Sequence, residues 1–212
     1  MPRVLLFLVF ISAALHAQKQ PFDVHALMKV ARISDPQISP DGKHVAFVVQ
    51  RVDLEKNTKP THIYVVGLDG GAPKQITAEG DLNERPRWSP DSKRIAFVTN
   101  RGGSSQIWLM NPDGSTPKPA TSLSTEAAGV LFSPDGKNLV FTSEVYPECS
   151  DDTCNQKKLE AEKASKVKAR IYTSLLYRHW SEWQGARRHL KPPASRGTSP
   201  LGKPSRPRTP FG

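Results

Sequence analysis

The chain has 212 residues, of which 37% are hydrophobic and 24% charged, with 19 prolines and a formal net charge of +10. Seven basic residues and no acidic residue lie from Gly185 onward, so residues 1–184 carry a net charge of only +3. Most of the positive excess therefore lies at one end and has no interleaved aromatic residues for base stacking, which argues against a nucleic-acid-binding domain.

The N-terminal residues have the pattern of a secretory signal peptide. Arg3 is a short basic region, residues 4–15 are apolar, and Ala17 is a small residue before a potential cleavage site, although Leu15 leaves the exact cut open. The apolar run is shorter than the ~20 residues that a membrane-spanning helix needs, so an uncleaved anchor is the less favoured alternative. We predict a signal peptide at residues 1–17, no stable membrane span, and a periplasmic or secreted protein.

A turn sequence occurs three times in the chain. The sequence Ser-Pro-Asp-(Gly or Ser)-Lys is found at residues 39–43, 89–93 and 133–137. Intervals of 50 and 44 residues are typical of propeller blades or solenoid repeats. The proline presets a tight turn and the aspartate can bond to the local backbone, which makes the aspartates structural turn residues. These aspartates are Asp41, Asp91 and Asp135.

An apolar run follows each turn, at residues 45–49, 95–98 and 139–141, and is predicted as a strand buried on both faces. Propeller blades have such strands because each small sheet packs between two neighbours. A second strand pattern repeats at residues 62–66 and 106–110. We therefore predict an all-β fold, a partial β-propeller of about three to four blades, with its blades over residues 18–148.

Single aromatic and histidine residues within the repeats are interpreted as structural. Trp88 and Trp108 occupy strand positions held by an isoleucine and a tyrosine in the first copy, which favours core packing over ligand stacking. His44 and His62 each flank a strand alone, which is more typical of a solvated or hydrogen-bonded histidine than of a base or ligand.

The two cysteines, Cys149 and Cys154, are separated by four residues. Outside the cytoplasm they could close a small disulfide loop, and free thiols are the alternative. A metal site through Asp151 and Asp152 is disfavoured because no histidine lies nearby at ligand spacing.

A stretch rich in lysine and glutamate, residues 156–169, follows the cysteines. It is predicted as a solvated helix, with Glu162 and Lys166 spaced for an i,i+4 pair and little apolar face. Residues 149–170 are thus interpreted as a cysteine loop and a charged helical insertion.

Strand character returns after the insertion, and residues 171–190 are predicted as the start of the next blade. Residues 191–212 contain six prolines and no helix or strand period, so we predict a disordered Pro/Arg-rich tail. A natural flexible tail is one interpretation. A lost coding frame near Gln184 to Leu190 is favoured because the composition changes in mid-blade.

The repeats resemble the TolB-type, WD-like propeller repeat. The cysteine loop, Lys-Lys-Leu-Glu-Ala-Glu-Lys-Ala at residues 157–164 and Leu-Leu-Tyr-Arg-His-Trp at residues 175–180 are similar to the N-terminal propeller of secreted prolyl oligopeptidase-family serine peptidases, in the acylaminoacyl-peptidase and dipeptidyl-peptidase-like branch. The resemblance implies a truncated, non-catalytic propeller fragment of an exported serine peptidase, in which the propeller filters or orients peptides. The alternatives are a periplasmic TolB-like module that binds an envelope protein and a surface-binding protein that uses the basic tail.

That family carries its nucleophile in a G-x-S-x-G elbow of a C-terminal α/β-hydrolase domain, and the present sequence has no such elbow. The nearest strings, at residues 102–106 and 197–202, lack the second glycine at the right place. We therefore assign no catalytic, cofactor or metal residue, and Arg178, His179 and Trp180 have no assigned role. The implied partners are a peptide substrate or the missing α/β-hydrolase domain.

Overall fold

The computed structural model describes residues 22–146, 148–167 and 169, and the backbone of three short strands beyond them. The predicted signal peptide, most of residues 171–190 and the tail from residue 192 lie outside the described residues. The chain divides into two compact units, Met1–Val30 and Ala31–Gly212. The first contains helix α1 (Val24–Lys29), whose N-cap Asp23 accepts a hydrogen bond from the Ala26 backbone N–H at 2.8 Å.

The second unit is built from antiparallel sheets. The first sheet consists of β1 (Arg32–Ile38), β2 (His44–Gln50), β3 (Thr61–Gly67) and β4 (Lys74–Gln75), in that order. The second consists of β5 (Asn83–Trp88), β6 (Ile95–Thr99), β7 (Gln106–Met110) and β8 (Lys118–Pro119). The next elements are β9 (Ala127–Phe132), β10 (Leu139–Val145), α2 (Asp152–Ala164), the pair β11 (Arg178–His179) and β12 (Glu182–Trp183), and β13 (Arg187–Lys191). Strands β9, β10 and β13 form the third sheet, in the order β13-β10-β9.

The sheets correspond to successive blades of a partial β-propeller, as predicted. Each repeated turn joins the first and second strands of a sheet, and the second strand pattern is β3 in the first sheet and β7 in the second. The first strands adjoin in sequence, β1 beside β5 and β5 beside β9. Because these first strands contact one another in succession, β1, β5 and β9 are called the axial strands below.

Two apolar cores lie between consecutive sheets. The core between the first and second sheets contains Ala46, Val48, Ile63, Val65, Ile76, Trp88, Ile95, Phe97 and Met110. The core between the second and third contains Ala96, Val98, Ile107, Ala127, Val130, Leu139 and Phe141. Because successive strand side chains point to opposite faces, β6 contributes to both cores, and the prediction that residues 95–98 are buried on both faces is confirmed.

The three repeated turns have the same hydrogen bonds. In the second turn the Ser89 hydroxyl and the Lys93 backbone N–H both donate to Asp91 Oδ1, and the Arg94 backbone N–H donates to Ser89 Oγ at 2.9 Å. The other two turns repeat this arrangement. Ser92 has a φ of +59°, where the first and third turns have glycine, and its hydroxyl accepts a hydrogen bond from the Asp41 backbone N–H at 3.0 Å. Each turn aspartate is thus a structural acceptor, and the first two turns are linked.

These hydrogen bonds predict a loss of stability in acid. The Ser89 hydroxyl and then the Lys93 N–H hold the pKa of Asp91 below its ordinary value of 3.8, and Asp41 and Asp135 have the same pKa direction. A carboxylate whose pKa is lower in the folded than in the unfolded protein stabilises the fold at pH values above its unfolded-state pKa. This stabilisation is lost as the pH falls through the folded-state pKa. We expect the melting temperature of Asp91→Asn, followed by circular dichroism, to fall less between pH 5 and pH 2.5 than that of the wild-type protein.

The exposed carboxylate Glu55, in the loop after β2, provides the control for that measurement. Glu55→Gln is expected to follow the wild-type acid profile. Equal profiles for Asp91→Asn and the wild-type protein would contradict the assigned role of the turn aspartate.

The strand at the C-terminal end of the described residues belongs to the third sheet. Strand β13 pairs with β10 in the third sheet, with Phe141 opposite Lys191 and Val145 opposite Arg187. In the third sheet β13 has the place that β3 and β7 have in the others, and the cysteine loop and α2 lie between its second and third strands. That residues 171–190 begin a further blade and that the tail begins at residue 191 stay predictions.

Helix α2 begins and ends earlier than its composition suggested. Its N-cap is Asp151, whose carboxylate accepts a hydrogen bond from the Cys154 backbone N–H at 2.8 Å, so the helix begins at Asp152 and not at residue 156. It ends at Ala164. Lys166 therefore lies beyond the helix, and the expected i,i+4 pair with Glu162 is wrong.

Candidate functional site

Each axial strand contains a β-bulge at the same place in the repeat. Two residues of the axial strand oppose one phenylalanine of the next strand, which is Phe47, Phe97 or Phe141. The first bulge residue has a positive φ: +48° at Asp35, +54° at Arg85 and +62° at Gly129. Glycine adopts this conformation without penalty, whereas other residues do so at a cost of roughly 1–2 kcal/mol.

The two charged bulge residues border a groove between the axial strands of the first two sheets. The groove has a volume of about 500 Å³, and β1, β2, β3 and β5 contribute to its walls. Its charged residues are Arg32, Asp35, Glu84, Arg85 and Arg87. We call this the axial groove, and its side chains sum to a single positive charge.

One ion pair fixes the wall of the axial groove. Arg87 Nη1 lies 2.8 Å from Asp35 Oδ2, and the two side chains are 21% and 26% exposed. Arg87 also donates to the Pro86 carbonyl, and Gln37 Nε2 donates to Asp35 Oδ1 at 2.8 Å. The Trp88 indole N–H donates to the Gln37 carbonyl at 3.0 Å. These bonds join β5 to β1. The charged groups of Asp35 and Arg87 therefore already have hydrogen-bond partners within the protein.

The other two arginines of the axial groove are less constrained. Arg85 Nε lies 4.0 Å from Glu84 Oε1, and the Arg85 side chain is 54% exposed. An exposed ion pair at this distance contributes little. Arg32 is exposed, and no ion pair of this residue is found within the described part of the chain. Two guanidinium groups therefore remain available to a ligand.

A second cavity, of about 360 Å³, lies between the third sheet and α2. Leu159 and Lys163 of the helix face hydroxyl-bearing residues and Glu126 across it. The helix is fixed at its first turn, where Ser124 donates from its backbone N–H and its hydroxyl to the Asp152 carboxylate at 2.9 and 2.8 Å. The charged insertion is thus bound at this end to the loop that precedes β9 and is not fully solvated.

The cysteines lie at the start of α2. Cys149 and Cys154 are joined by a disulfide with an S–S distance of 2.03 Å. Cys149 is buried, and the Tyr146 backbone N–H beside this loop donates to Asn155 Oδ1 at 2.9 Å. The disulfide therefore closes the loop that leads from β10 to the helix.

The remaining candidates from the sequence have structural surroundings. Trp88 is buried in the first core, and Trp108 packs against that core beneath the Arg101 guanidinium, 4.8 Å from the ring centre. His62 Nδ1 lies 3.4 Å from Asn83 Nδ2, and burial lowers the pKa of this histidine.

Residues 102–106, the string nearest to a nucleophile elbow, span the turn between β6 and the start of β7. Arg178 and His179 form strand β11, and Trp180 lies outside the described residues. Within the described ranges, no group of three His, Cys, Asp or Glu residues could hold a metal ion. No helix in those ranges is both long and apolar enough to cross a membrane.

Sequence reasoning missed the axial groove. A signal was present, because Asp-Pro-Gln at residues 35–37 and Arg-Pro-Arg at residues 85–87 stand at the same distance before the repeated serine. Proline is tolerated at a bulge because it has no N–H for the ladder. A charged residue before proline at one repeat position in two blades therefore indicates the bulge.

Comparisons with known proteins agree with this architecture. The family model described as "TolB beta propeller domain" matches residues 24–168. Dipeptidyl-peptidase 5 of Porphyromonas gingivalis is 36% identical over 165 residues, and that of Porphyromonas endodontalis is 33% identical over 157 residues. Each alignment covers 74% of this chain and 22% of the relative, so the chain spans about a fifth of these proteins. A variant of the AtxE2 isopeptidase is 17% identical with a TM-score of 0.55, over 78% of this chain and 29% of that one, which shows a shared fold.

Proposed function

Because the chain belongs to the TolB β-propeller family, we propose that it is part of the propeller of an exported serine peptidase and contacts peptides without hydrolysing them. The observation that carries this proposal is the identity of 33% and 36% to two dipeptidyl-peptidases over 74% of the chain. A TolB-like module that binds an envelope protein is the second candidate, since the matching family model is named after TolB.

The sequence supports both export and the proposal that this chain does not hydrolyse peptides by itself. Residues 1–17 have the signal-peptide pattern, and a disulfide between Cys149 and Cys154 suits an oxidising compartment. No G-x-S-x-G elbow occurs in the sequence, so hydrolysis would need residues from outside this chain. The axial groove supplies a surface for peptide contact.

The coding DNA provides the decisive experiment. We would sequence it across codons 184–190 and translate all forward frames downstream. The expected result is a frame that resumes with blade repeats and reaches a G-x-S-x-G elbow followed by Asp and His codons. If every frame ends without them, the peptidase assignment is wrong and the TolB-like module becomes the better function.

A further inference from the structure

We propose that the axial groove is a carboxylate-binding site, in which Arg32 and Arg85 hold an acidic group of a bound peptide. The inference rests on the proposed function for the peptide, and it adds the chemical class that the groove recognises. The carboxylate belongs either to an acidic side chain or to a peptide C-terminus, and the two sources are separated below.

The charge balance of the groove favours a single carboxylate. Asp35 neutralises Arg87 at 2.8 Å, whereas Glu84 only approaches Arg85, at 4.0 Å. The groove therefore has one positive charge in excess, and binding one carboxylate neutralises it. A polyanion such as a nucleic acid is disfavoured, because Asp35 and Glu84 would lie beside its further charges.

The main chain at the bulge gives a second reason. Arg85 has a φ of +54° in a position that the third sheet fills with a glycine. Residues held in sparsely populated conformations cluster at ligand sites, where the surrounding structure maintains them. The Arg87–Asp35 ion pair and the Trp88 hydrogen bond provide that support on either side of the bulge.

The chemistry of the walls suits a peptide acid. The planar guanidinium group matches a carboxylate with two parallel N–H donors. Ser34 and Gln50 add neutral hydrogen-bonding groups to the wall, and Val48 adds an apolar contact. A volume of about 500 Å³ lies within the range of small-ligand sites and accommodates one or two residues of a peptide.

The test measures binding of three acetylated pentapeptides to the full chain by isothermal titration calorimetry. The first has a central glutamate and a C-terminal amide, the second a central glutamine and a free C-terminal carboxylate, and the third a central glutamine and a C-terminal amide. We expect at least one of the first two to bind about tenfold more tightly than the third, as one charge-assisted contact provides. The tighter of the two identifies the source of the carboxylate.

The variants assign that binding to the groove. Arg32→Gln combined with Arg85→Gln is expected to abolish the preference for the acidic peptide, and Arg85→Lys is expected to keep part of it. Arg51→Gln is the matched control, because Arg51 is exposed, follows β2 and lies outside the groove lining. Arg32 and Arg85 are also exposed, so we expect all these variants to melt at the wild-type temperature.

Three outcomes would overturn the inference. They are equal binding of all three peptides, no binding of any, and an equal loss of the preference in Arg51→Gln, which would indicate long-range attraction. None of them affects the DNA experiment, so a failed groove and a failed peptidase assignment are distinguishable. A groove that behaves as expected in a chain whose DNA encodes no hydrolase would instead be the binding site of a TolB-like module.

Discussion

Phe97→Ala is expected to destabilise the protein by about 3–5 kcal/mol, a large part of the stability of a single domain. Phe97 is fully buried in β6 and lies in the core between the first and second sheets. It is also the residue opposite the Arg85 bulge, and the Arg101 guanidinium lies 5.4 Å from its ring centre. Alanine would leave a cavity between two blades and remove this contact.

Urea unfolding followed by tryptophan fluorescence provides the measurement. Phe22→Ala makes the same change at a side chain that is 73% exposed and is expected to change the free energy of unfolding by less than about 0.5 kcal/mol. Phe97→Leu keeps most of the volume and is expected to lose about 1 kcal/mol. A loss below 1 kcal/mol for Phe97→Ala would show that the two sheets do not share a tightly packed core.

Gly114→Ala is expected to lower the free energy of unfolding by about 2–5 kcal/mol. Gly114 has a φ of +88° in the turn between β7 and β8, and an added Cβ would lie 2.6 Å from the Ile76 carbonyl oxygen and 3.1 Å from Ile76 Cα. Both are main-chain atoms of the residue that follows β4, and they cannot rotate away as a side chain does. The substitution therefore combines backbone strain with a clash between blades.

Gly103→Ala separates these two contributions. Gly103 has a φ of +103°, and an added Cβ would have no atom within 4 Å. We expect only the backbone cost, about 1–2 kcal/mol. The difference between the two variants in urea unfolding measures the contact of Gly114 with Ile76, and equal losses would contradict the close approach of the two segments.

The sequence predicted the repeated parts of the fold well, because each turn and strand is encoded locally. Proline, aspartate and glycine or serine specify the turn between the first two strands. The continuous apolar run after the turn indicates a strand that is buried on both faces. Three copies also reinforced one another. The strands β2, β6 and β10 were predicted for this reason.

The missed features depend on a single capping side chain or on contacts between distant segments. The start of α2 depends on a cap by Asp151 inside the cysteine loop, where composition alone suggested a later start. The axial groove needs β1 and β5 to be neighbours, a relation that no single repeat contains. Sequence reasoning therefore found the blades and missed the surface between them.

The bulge on the axial strands also bears on how such a protein can change over time. One backbone position holds Asp35, Arg85 and Gly129 in three successive sheets. Asp35 is only partly buried and Arg85 is exposed, and neither belongs to the two apolar cores. Single substitutions at this position can therefore alter the chemistry of the axial wall one blade at a time without changing a residue of the two apolar cores, although at Asp35 they also remove the ion pair with Arg87. In a repeat of this kind, the residues that maintain the fold and the residues that determine the surface chemistry occupy different positions.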